Sequence, residues 1–256
     1  MPHDKSIDPP ASWKNYFASD QELPTSVRVD VNADTDAHVK ARPWLLRATI
    51  AMRTPRPDGL SSSEESAVLW KIEDAIDTAA RAQFDAMLVG AITRNGERQL
   101  CFYARSAERF DELVATVRAE FAEYTLVSAH KRDATWELYR DLLYPSAEEW
   151  QAIKDADVLL VLKRHGDEPE IERAVRHYAY FPVKELRETF WKEFGSQGYR
   201  RVDAEERVEG PHKLAFESWQ TVDWTSIRER TSALHRGAKE HGGDYDGWET
   251  SVERGA

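Results

Sequence analysis

Carboxylates near the C-terminus have a spacing that could bind calcium. Calcium loops take oxygen ligands from side chains at fixed positions and use a glycine for a sharp turn. Four residues occupy the third, fifth, sixth and twelfth positions of such a loop: Asp244, Asp246, Gly247 and Glu253. The first ligand position is Gly242, however, and too little chain follows for an exiting helix. We therefore expect no metal ion here and interpret the stretch as a turn that leads into a core strand, lying inside a sheet.

The histidines form no metal-binding pattern. His235 and His241 lie six residues apart on a predicted helix, so they point to different faces and would not share a metal ion. His177 stands in a predicted strand, where it is either an acid–base catalyst or a packed, hydrogen-bonded side chain. We expect the second role.

The single cysteine and a glycine pair also favour structural roles. Cys101 lies beside Phe102 on a predicted strand, where a small buried hydrophobe is expected, because a nucleophile would need a nearby base. Gly242-Gly243 follows a predicted helix, whereas phosphate-binding loops precede one. The sequence therefore predicts no bound cofactor.

Aromatic residues on one predicted strand raise RNA binding as an alternative function. Tyr178, Tyr180 and Phe181 could form a stacking platform. Basic residues lie near them in the sequence, at Arg164, Arg173 and Arg176. The chain lacks the Gly-aromatic-Gly signature of RNA-recognition domains, and its net charge opposes a phosphate backbone. We expect core and surface residues to alternate along this strand, without direct nucleic-acid binding.

Composition limits the class of protein. The 256 residues are 41% hydrophobic and 11% aromatic, enough for a buried core in one large or two ordinary domains. With 46 acidic and 35 basic residues, the formal charge of −11 favours basic protein partners. A lone cysteine fits a reducing compartment, and neither a membrane-length apolar run nor a secretion signal is seen. We expect a cytoplasmic protein.

Hydrophobic periodicity predicts the same element order in both halves: strand, strand, helix, strand, strand, helix, strand. Asn95-Gly96 predicts a tight type I′ hairpin, and Ser146 with Glu149 predicts a capping box that opens a short helix. Predicted strands cover residues 26–31, 43–52, 87–94, 97–103, 124–130, 158–163, 175–181, 199–202, 213–222 and 244–252. Predicted helices begin near residues 62, 106, 183 and 223.

This order predicts an α+β fold of two tandem ferredoxin-like domains, each an antiparallel sheet with two helices on one face. We place a mobile lead-in at residues 1–11, an N-terminal α+β domain at 12–146, and a C-terminal α+β domain at 147–256.

The second half resembles the regulator of ribonuclease E activity B family. Its most specific feature is the Tyr-Asp-Gly-Trp run at residues 245–248. Further matching residues are Gly166-Asp167, Arg176-His177-Tyr178 and Gly198-Tyr199. The resemblance implies a ferredoxin-like, non-catalytic protein that binds the largely disordered C-terminal part of ribonuclease E and lowers its activity. Residues 155–256 hold 21 acidic and 16 basic side chains, a weaker acidity than is typical of that family.

Residues 12 to about 146 resemble an uncharacterised bacterial family, the domain of unknown function numbered six-nine-five. This resemblance implies no activity. The matching residues are Trp13, Tyr16, Arg42-Pro43, Asp58-Gly59, Val89-Gly90, Thr93, Gly96, Asp133, Trp136, Tyr139 and residues 143–145.

We therefore predict a non-catalytic cytosolic regulator that binds a protein partner, inhibiting a ribonuclease E-type endoribonuclease and so modulating RNA decay. Contact would use the sheet face of the second domain or the acidic runs 168–172 and 203–209. The candidate partner-binding residues are Asp167, Glu168, His177, Tyr178, Asp244, Asp246 and Trp248. An enzyme with a site between the domains, around Asp133, Trp136 and Glu137, is the other alternative.

Overall fold

The computed structural model describes residues 10–18, 23–203 and 211–255. The chain divides into two compact units between Pro145 and Ser146, each with its own sheet and core. Residues 1–9 of the predicted lead-in and residues 204–209 of the second acidic run lie outside the described residues. Within the described residues, no helix is both long and apolar enough to span a membrane.

The first unit is built on a six-stranded antiparallel sheet with three helices. Its strands are β1 (Trp13–Phe17), β2 (Ser26–Asp30), β3 (Trp44–Ala51), β4 (Met87–Arg94), β5 (Glu97–Ala104) and β6 (Thr125–Arg132). Its helices are α1 (Asp36–Ala41), α2 (Ser63–Phe84) and α3 (Phe110–Glu120), and a π-helical turn covers Tyr139–Leu143. The strand order is β1-β2-β4-β5-β3-β6, so β3 to β6 have the ferredoxin-like order and the β1–β2 hairpin extends the sheet beyond β4.

Local signals explain the first unit's elements. Ser62 caps α2 by accepting a hydrogen bond from the Glu65 amide at 3.1 Å. Asn95 and Gly96 both have positive φ, as the tight turn between β4 and β5 requires. The α3 helix begins at Phe110, later than predicted, because Ser106 caps a turn instead by accepting from the Glu108 amide.

Alternating aromatic rings and guanidinium groups hold the added hairpin onto α2. The Arg28 guanidinium lies 4.7 Å from the Trp13 ring centroid and 4.3 Å from that of Trp70, and Arg98 lies 5.1 Å from Trp70 on the same ladder. Glu73 forms an ion pair with Arg28. Burial raises the pKa of Glu73 in spite of this cation. Cation–π contacts of this kind stabilise partly desolvated sites, so they attach the β1–β2 hairpin to α2.

Cys101 is fully buried on β5. Burial raises the pKa of its thiol to about 12. The predicted role as a small core hydrophobe is confirmed.

The cluster proposed as an enzyme site is internal to the first unit. The Tyr103 hydroxyl donates to Asp133 at 2.6 Å, and the Glu137 amide donates to the same carboxylate at 2.9 Å. Trp136 is fully buried, stacked on Tyr103 with ring centroids 4.1 Å apart, and its indole N–H donates to the Arg42 carbonyl at 3.0 Å. Burial raises the pKa of Asp133, but its hydrogen bonds lower the pKa by more. The net pKa lies below its usual value, so the carboxylate stays ionised. These contacts fix the chain that follows β6.

The second unit has the ferredoxin-like arrangement with one additional helix in front of it. Its helices are α4 (Ala147–Arg164), α5 (Lys184–Phe194) and α6 (Trp224–Glu240). Its strands are β7 (Arg173–Phe181), β8 (Arg200–Asp203), β9 (His212–Gln220) and β10 (Asp244–Thr250), in the order β10-β7-β9-β8. The predicted α+β fold class, with two antiparallel sheets and helices, is confirmed.

The predicted strand at residues 158–163 is wrong, because this stretch lies inside α4. The capping box is formed as predicted: the Ser146 hydroxyl accepts from the Glu149 amide, and the Glu149 carboxylate accepts from the Ser146 amide. No glycine or proline follows until Gly166, so the helix continues through the apolar run. Leu160 and Val161 are 46% and 50% exposed, whereas Leu162 is buried.

The terminal strand β10 lies at an edge of the sheet, so the prediction that it lies inside the sheet is wrong. The ferredoxin-like order places the fourth strand of the motif outside the first, and β10 pairs only with β7 within the described residues. Its Tyr245 and Trp248 side chains are nevertheless buried.

We expect Trp136→Ala to lower the free energy of unfolding of the first unit by about 3–5 kcal/mol, the cost of removing a buried aromatic side chain. Urea unfolding followed by circular dichroism measures it. Leu142→Ala is the control, because this side chain is 46% exposed and should cost about 0.5 kcal/mol or less. Equal losses in the two variants would contradict the structural role of the Trp136 cluster.

Candidate binding surface on the second unit

A buried carboxylate joins three elements of the second unit. Asp155 of α4 has no solvent exposure. It accepts hydrogen bonds from the Gln151 side-chain amide at 2.9 Å, the Thr231 hydroxyl at 2.6 Å and the Trp248 indole N–H at 3.0 Å. Burial raises the pKa of Asp155 in spite of these donors. Trp248, the last residue of the Tyr-Asp-Gly-Trp run, is therefore tied to α4 as an internal anchor.

His177 lies in the core between the sheet and the helices. Its Nδ1 lies 2.8 Å from the Tyr245 hydroxyl, and its ring stacks on Phe216 with centroids 5.5 Å apart. Burial, assisted by the positive charge of Arg230, lowers the pKa of His177 to about 3. The side chain is consequently neutral at physiological pH, as expected of a packed, hydrogen-bonded histidine.

Asp167 is also internal. Its carboxylate pairs with Arg173, and both side chains are almost fully buried. The same carboxylate accepts a hydrogen bond from the Glu253 amide at 2.8 Å. Arg173 in turn donates to the Ser251 carbonyl at 3.2 Å. The pair joins the turn after α4 to the chain that follows β10.

The candidate contact residues therefore divide into two groups. Asp167, His177 and Trp248 have their side chains in the interior, where they position β7 and β10. The accessible residues are Glu168, Tyr178, Asp244 and Asp246.

Within the described residues of the second unit, the helices pack on one face of the sheet and leave the other face uncovered. Along β7, Val175, His177, Ala179 and Phe181 are buried, so the intervening side chains point to the opposite face. The pairing of β9 and β10 with β7 extends this second face across three strands. We call it the open face; it consists of Arg176, Tyr178, Tyr180, Lys213, Glu217, Trp219 and Glu249.

Charged groups on the open face pair with one another. The Arg176 guanidinium lies 3.9 Å from Glu217 and 3.8 Å from Glu249. The Tyr178 hydroxyl donates to Glu249, and the Lys213 ammonium lies 4.7 Å from the Tyr178 ring centroid. Partial burial and the bond to Glu249 raise the pKa of Tyr178. Arg176 and Glu249 are 44% and 60% exposed, so their pair contributes only about 0–1 kcal/mol.

Trp219 is the most exposed large hydrophobic residue of this face, at 68%. Sequence reasoning missed it, together with Lys213, Glu217 and Glu249. The signal was the alternation along the predicted strand 213–222, which could have separated a buried face from an accessible one.

The aromatic platform considered for RNA is divided between the two faces. Phe181 and Arg173 are buried on the helix side, whereas Tyr178, Tyr180 and Arg176 lie on the open face. Core and surface residues thus alternate along β7, as predicted.

The calcium-like spacing forms a β-bulge. Pairing with β7 shifts between Tyr245 and Gly247, and Gly247 has φ +136°. Lys239 forms an ion pair with Asp244. Among the described residues, no three His, Cys, Asp or Glu side chains come together as a possible metal site.

The fold is that of a two-unit α+β protein, and one face of its second sheet carries accessible aromatic and charged side chains. The chain belongs to the Family of unknown function (DUF695), whose family model matches residues 11–144. Residues 152–250 match the family model of Regulator of ribonuclease activity B. The resemblances predicted from both halves of the sequence are confirmed.

No curated protein matches the chain. Two solved structures align with it weakly, each at 11% identity. An unknown protein from Galdieria sulphuraria aligns over 82% of this chain and 99% of its own, with a TM-score of 0.23. A chain described as a "putative glycine cleavage system transcriptional repressor" aligns over 81% of this chain and 98% of its own, with a TM-score of 0.24.

We expect Trp248→Phe to lower the free energy of unfolding of the second unit by about 1–3 kcal/mol, because phenylalanine keeps an aromatic side chain but lacks the indole N–H, so the buried Asp155 carboxylate loses a donor. Chemical unfolding measures the change. Trp219→Phe is the matched control, since the same substitution on the open face removes no buried hydrogen bond. A loss in the control as large as that in Trp248→Phe would contradict the anchoring role.

The low pKa of His177 predicts a pH dependence of stability. The unfolded chain binds a proton at this side chain below its ordinary pKa of 6.5, whereas the folded chain does so only near 3. The neutral histidine therefore makes its full contribution to the free energy of unfolding above pH 6.5. As the pH falls from 6.5 towards 3, that free energy decreases by about 1.4 kcal/mol per pH unit. Between these two pH values, the free energy of unfolding should depend on pH more steeply in the wild type than in His177→Phe, by that slope. Parallel curves would contradict a buried neutral histidine.

Proposed function

We propose that the chain is a non-catalytic cytosolic regulator that binds a protein partner through the open face, and that an endoribonuclease of the ribonuclease E type is that partner. The observation that carries the proposal is the position of the open face within the residues that match Regulator of ribonuclease activity B. Binding would inhibit the nuclease and so slow RNA decay.

The chemistry of the open face suits a polypeptide segment. Tyr178, Tyr180 and Trp219 provide flat apolar contact area with few rotatable bonds, a common property of interface anchors. Two carboxylates and two cations lie among them, so a partner of mixed charge finds complementary groups. Because the exposed ion pairs are weak, the partner can exchange them for its own without a large desolvation cost.

The β10 edge adds acidic character to this surface. Asp244, Asp246 and Glu249 are exposed on this strand. Beyond it, Glu168 is exposed in the turn after α4. These carboxylates favour a basic segment of the partner and steer its approach at low salt. We propose that Glu168, Tyr178, Asp244 and Asp246 contact the partner, while Asp167, His177 and Trp248 hold the contacting strands in place.

We further propose that residues 147–256 form a domain that carries this role, with residues 12–146 as a separate domain. A fragment covering residues 147–256 should then bind the partner as tightly as the whole chain does. A fragment that folds but does not bind would contradict this assignment.

Calorimetric titration of the full chain with a ribonuclease E-type endoribonuclease tests the proposal. We expect binding that the Tyr178→Ala/Trp219→Ala double variant weakens by about 100-fold, because two aromatic anchors are lost. Trp224→Ala is the control, since Trp224 is 44% exposed in the same unit but lies at the start of α6. Inhibition of RNA cleavage should follow the same order.

Three outcomes would contradict parts of the proposal. Absence of binding removes the nuclease as partner. Wild-type affinity in the double variant, or equal loss in Trp224→Ala, removes the open face as the contact surface. Salt-sensitive binding of an oligonucleotide that depends on Tyr178 would favour the RNA-binding alternative.

A further inference from the structure

The first unit has a groove between α2 and α3 that the proposed function does not use. Its volume is about 620 Å³, within the range of ligand-binding clefts. Buried Leu113 and Val117 and half-buried Ala75 and Ala79 form its apolar floor. The groove therefore combines an apolar base with an accessible mouth.

Small side chains on α2 explain why the groove exists. The two helices contact the sheet core through larger residues such as Ile72, Ile76 and Phe110. On the side facing the groove, α2 presents Ala75, Ala79 and Ala82, at helical spacing. Alanines leave the space that larger ridge residues would fill, and they allow a third helix to approach closely.

The charges at the rim favour a cation. Asp74 of α2 and Glu112 and Glu120 of α3 line the groove, together with one cation, Arg109. Arg109 already pairs with Glu112 at 2.7 Å. Asp74 and Glu120 make no hydrogen bond or ion pair within the part of the chain that the structure describes. Two carboxylates, one on each helix, are thus available above the apolar floor.

We propose that this groove binds an amphipathic helix with a basic face from a partner protein. Alanine-sized and larger aliphatic residues of that helix would pack on the floor, while lysine or arginine side chains would reach Asp74 and Glu120. A third helix fits because ridges of small side chains permit interaxial distances of about 8–10 Å. The carboxylates repel a nucleic acid, and the helical walls offer no unpaired backbone groups to an added strand.

Fluorescence anisotropy of the full chain with two labelled peptides tests the proposal. The probe is a synthetic helix of about 18 residues, or about 27 Å, with lysines on one face and alanine and leucine on the other. The second peptide replaces every lysine by glutamate. We expect the lysine peptide to bind and the glutamate peptide to fail, because the groove is acidic.

Paired variants locate the binding. Ala82→Trp fills the groove and should weaken the lysine peptide by about tenfold or more, equivalent to at least 1.4 kcal/mol. Ala119→Trp is the matched control, because Ala119 is an exposed alanine on the other flank of α3. Asp74→Lys/Glu120→Lys should likewise weaken binding, whereas Glu64→Lys/Glu137→Lys changes the net charge equally away from the groove.

The proposal is overturned by any of three results: the lysine peptide does not bind the wild-type chain, Ala82→Trp binds it as tightly as Ala119→Trp, or the two double charge variants have equal affinity. Thermal unfolding of each variant confirms that folding is retained. These outcomes do not depend on binding at the open face, so they are independent of the proposed ribonuclease partner.

Discussion

The second unit depends on a carboxylate buried among neutral donors. Removing a charge from water is costly, and three hydrogen bonds from α4, α6 and β10 offset part of that cost for Asp155. Because Trp248 must point at this carboxylate, the register of β10 on β7 is fixed. A slip by one residue would turn Trp248 to the opposite face and bury Glu249 instead. The hydrogen bond between Trp248 and Asp155, on the helix side of the sheet, therefore determines which side chains of β10 lie on the open face.

The two units use one strand order with different additions. In the first unit, the β1–β2 hairpin widens the sheet and is held to α2 by the ladder of Trp13, Arg28 and Trp70. In the second, α4 precedes the motif and packs on α6 and β10 through Asp155. The core motif sets the common topology, and the additions determine which surfaces stay accessible. The surfaces of the two units consequently differ although their central topology is shared.

Local chemistry made much of the fold predictable. Ser146 with Glu149, Asn95 with Gly96, and Asp223 at the start of α6 each form the cap or turn that their side chains favour. The apolar run at residues 158–163 was misassigned because six apolar-rich residues fit a strand or a buried helix equally well. The capping box at Ser146 and Glu149, together with the absence of glycine and proline from there to Gly166, is what distinguishes the two.

The interior polar contacts could not be predicted in the same way. Asp155 and Trp248 are far apart in the sequence, and nothing local marks the aspartate as different from its neighbour Asp157. Asp167 and His177 likewise lie in motifs that suggested contact with a partner, yet their side chains are buried in the interior of the second unit. A short motif that matches a family can serve packing as readily as recognition, and contacts with residues distant in the sequence decide between the two.

The burial of Cys101 has a practical consequence for labelling. A thiol enclosed in the core, with its pKa raised to about 12, presents almost no thiolate to maleimide or iodoacetamide reagents. Since the chain contains a single cysteine, a new one introduced at the surface would react alone. Spectroscopic distance probes can thus be attached to either unit while the native residue stays in place.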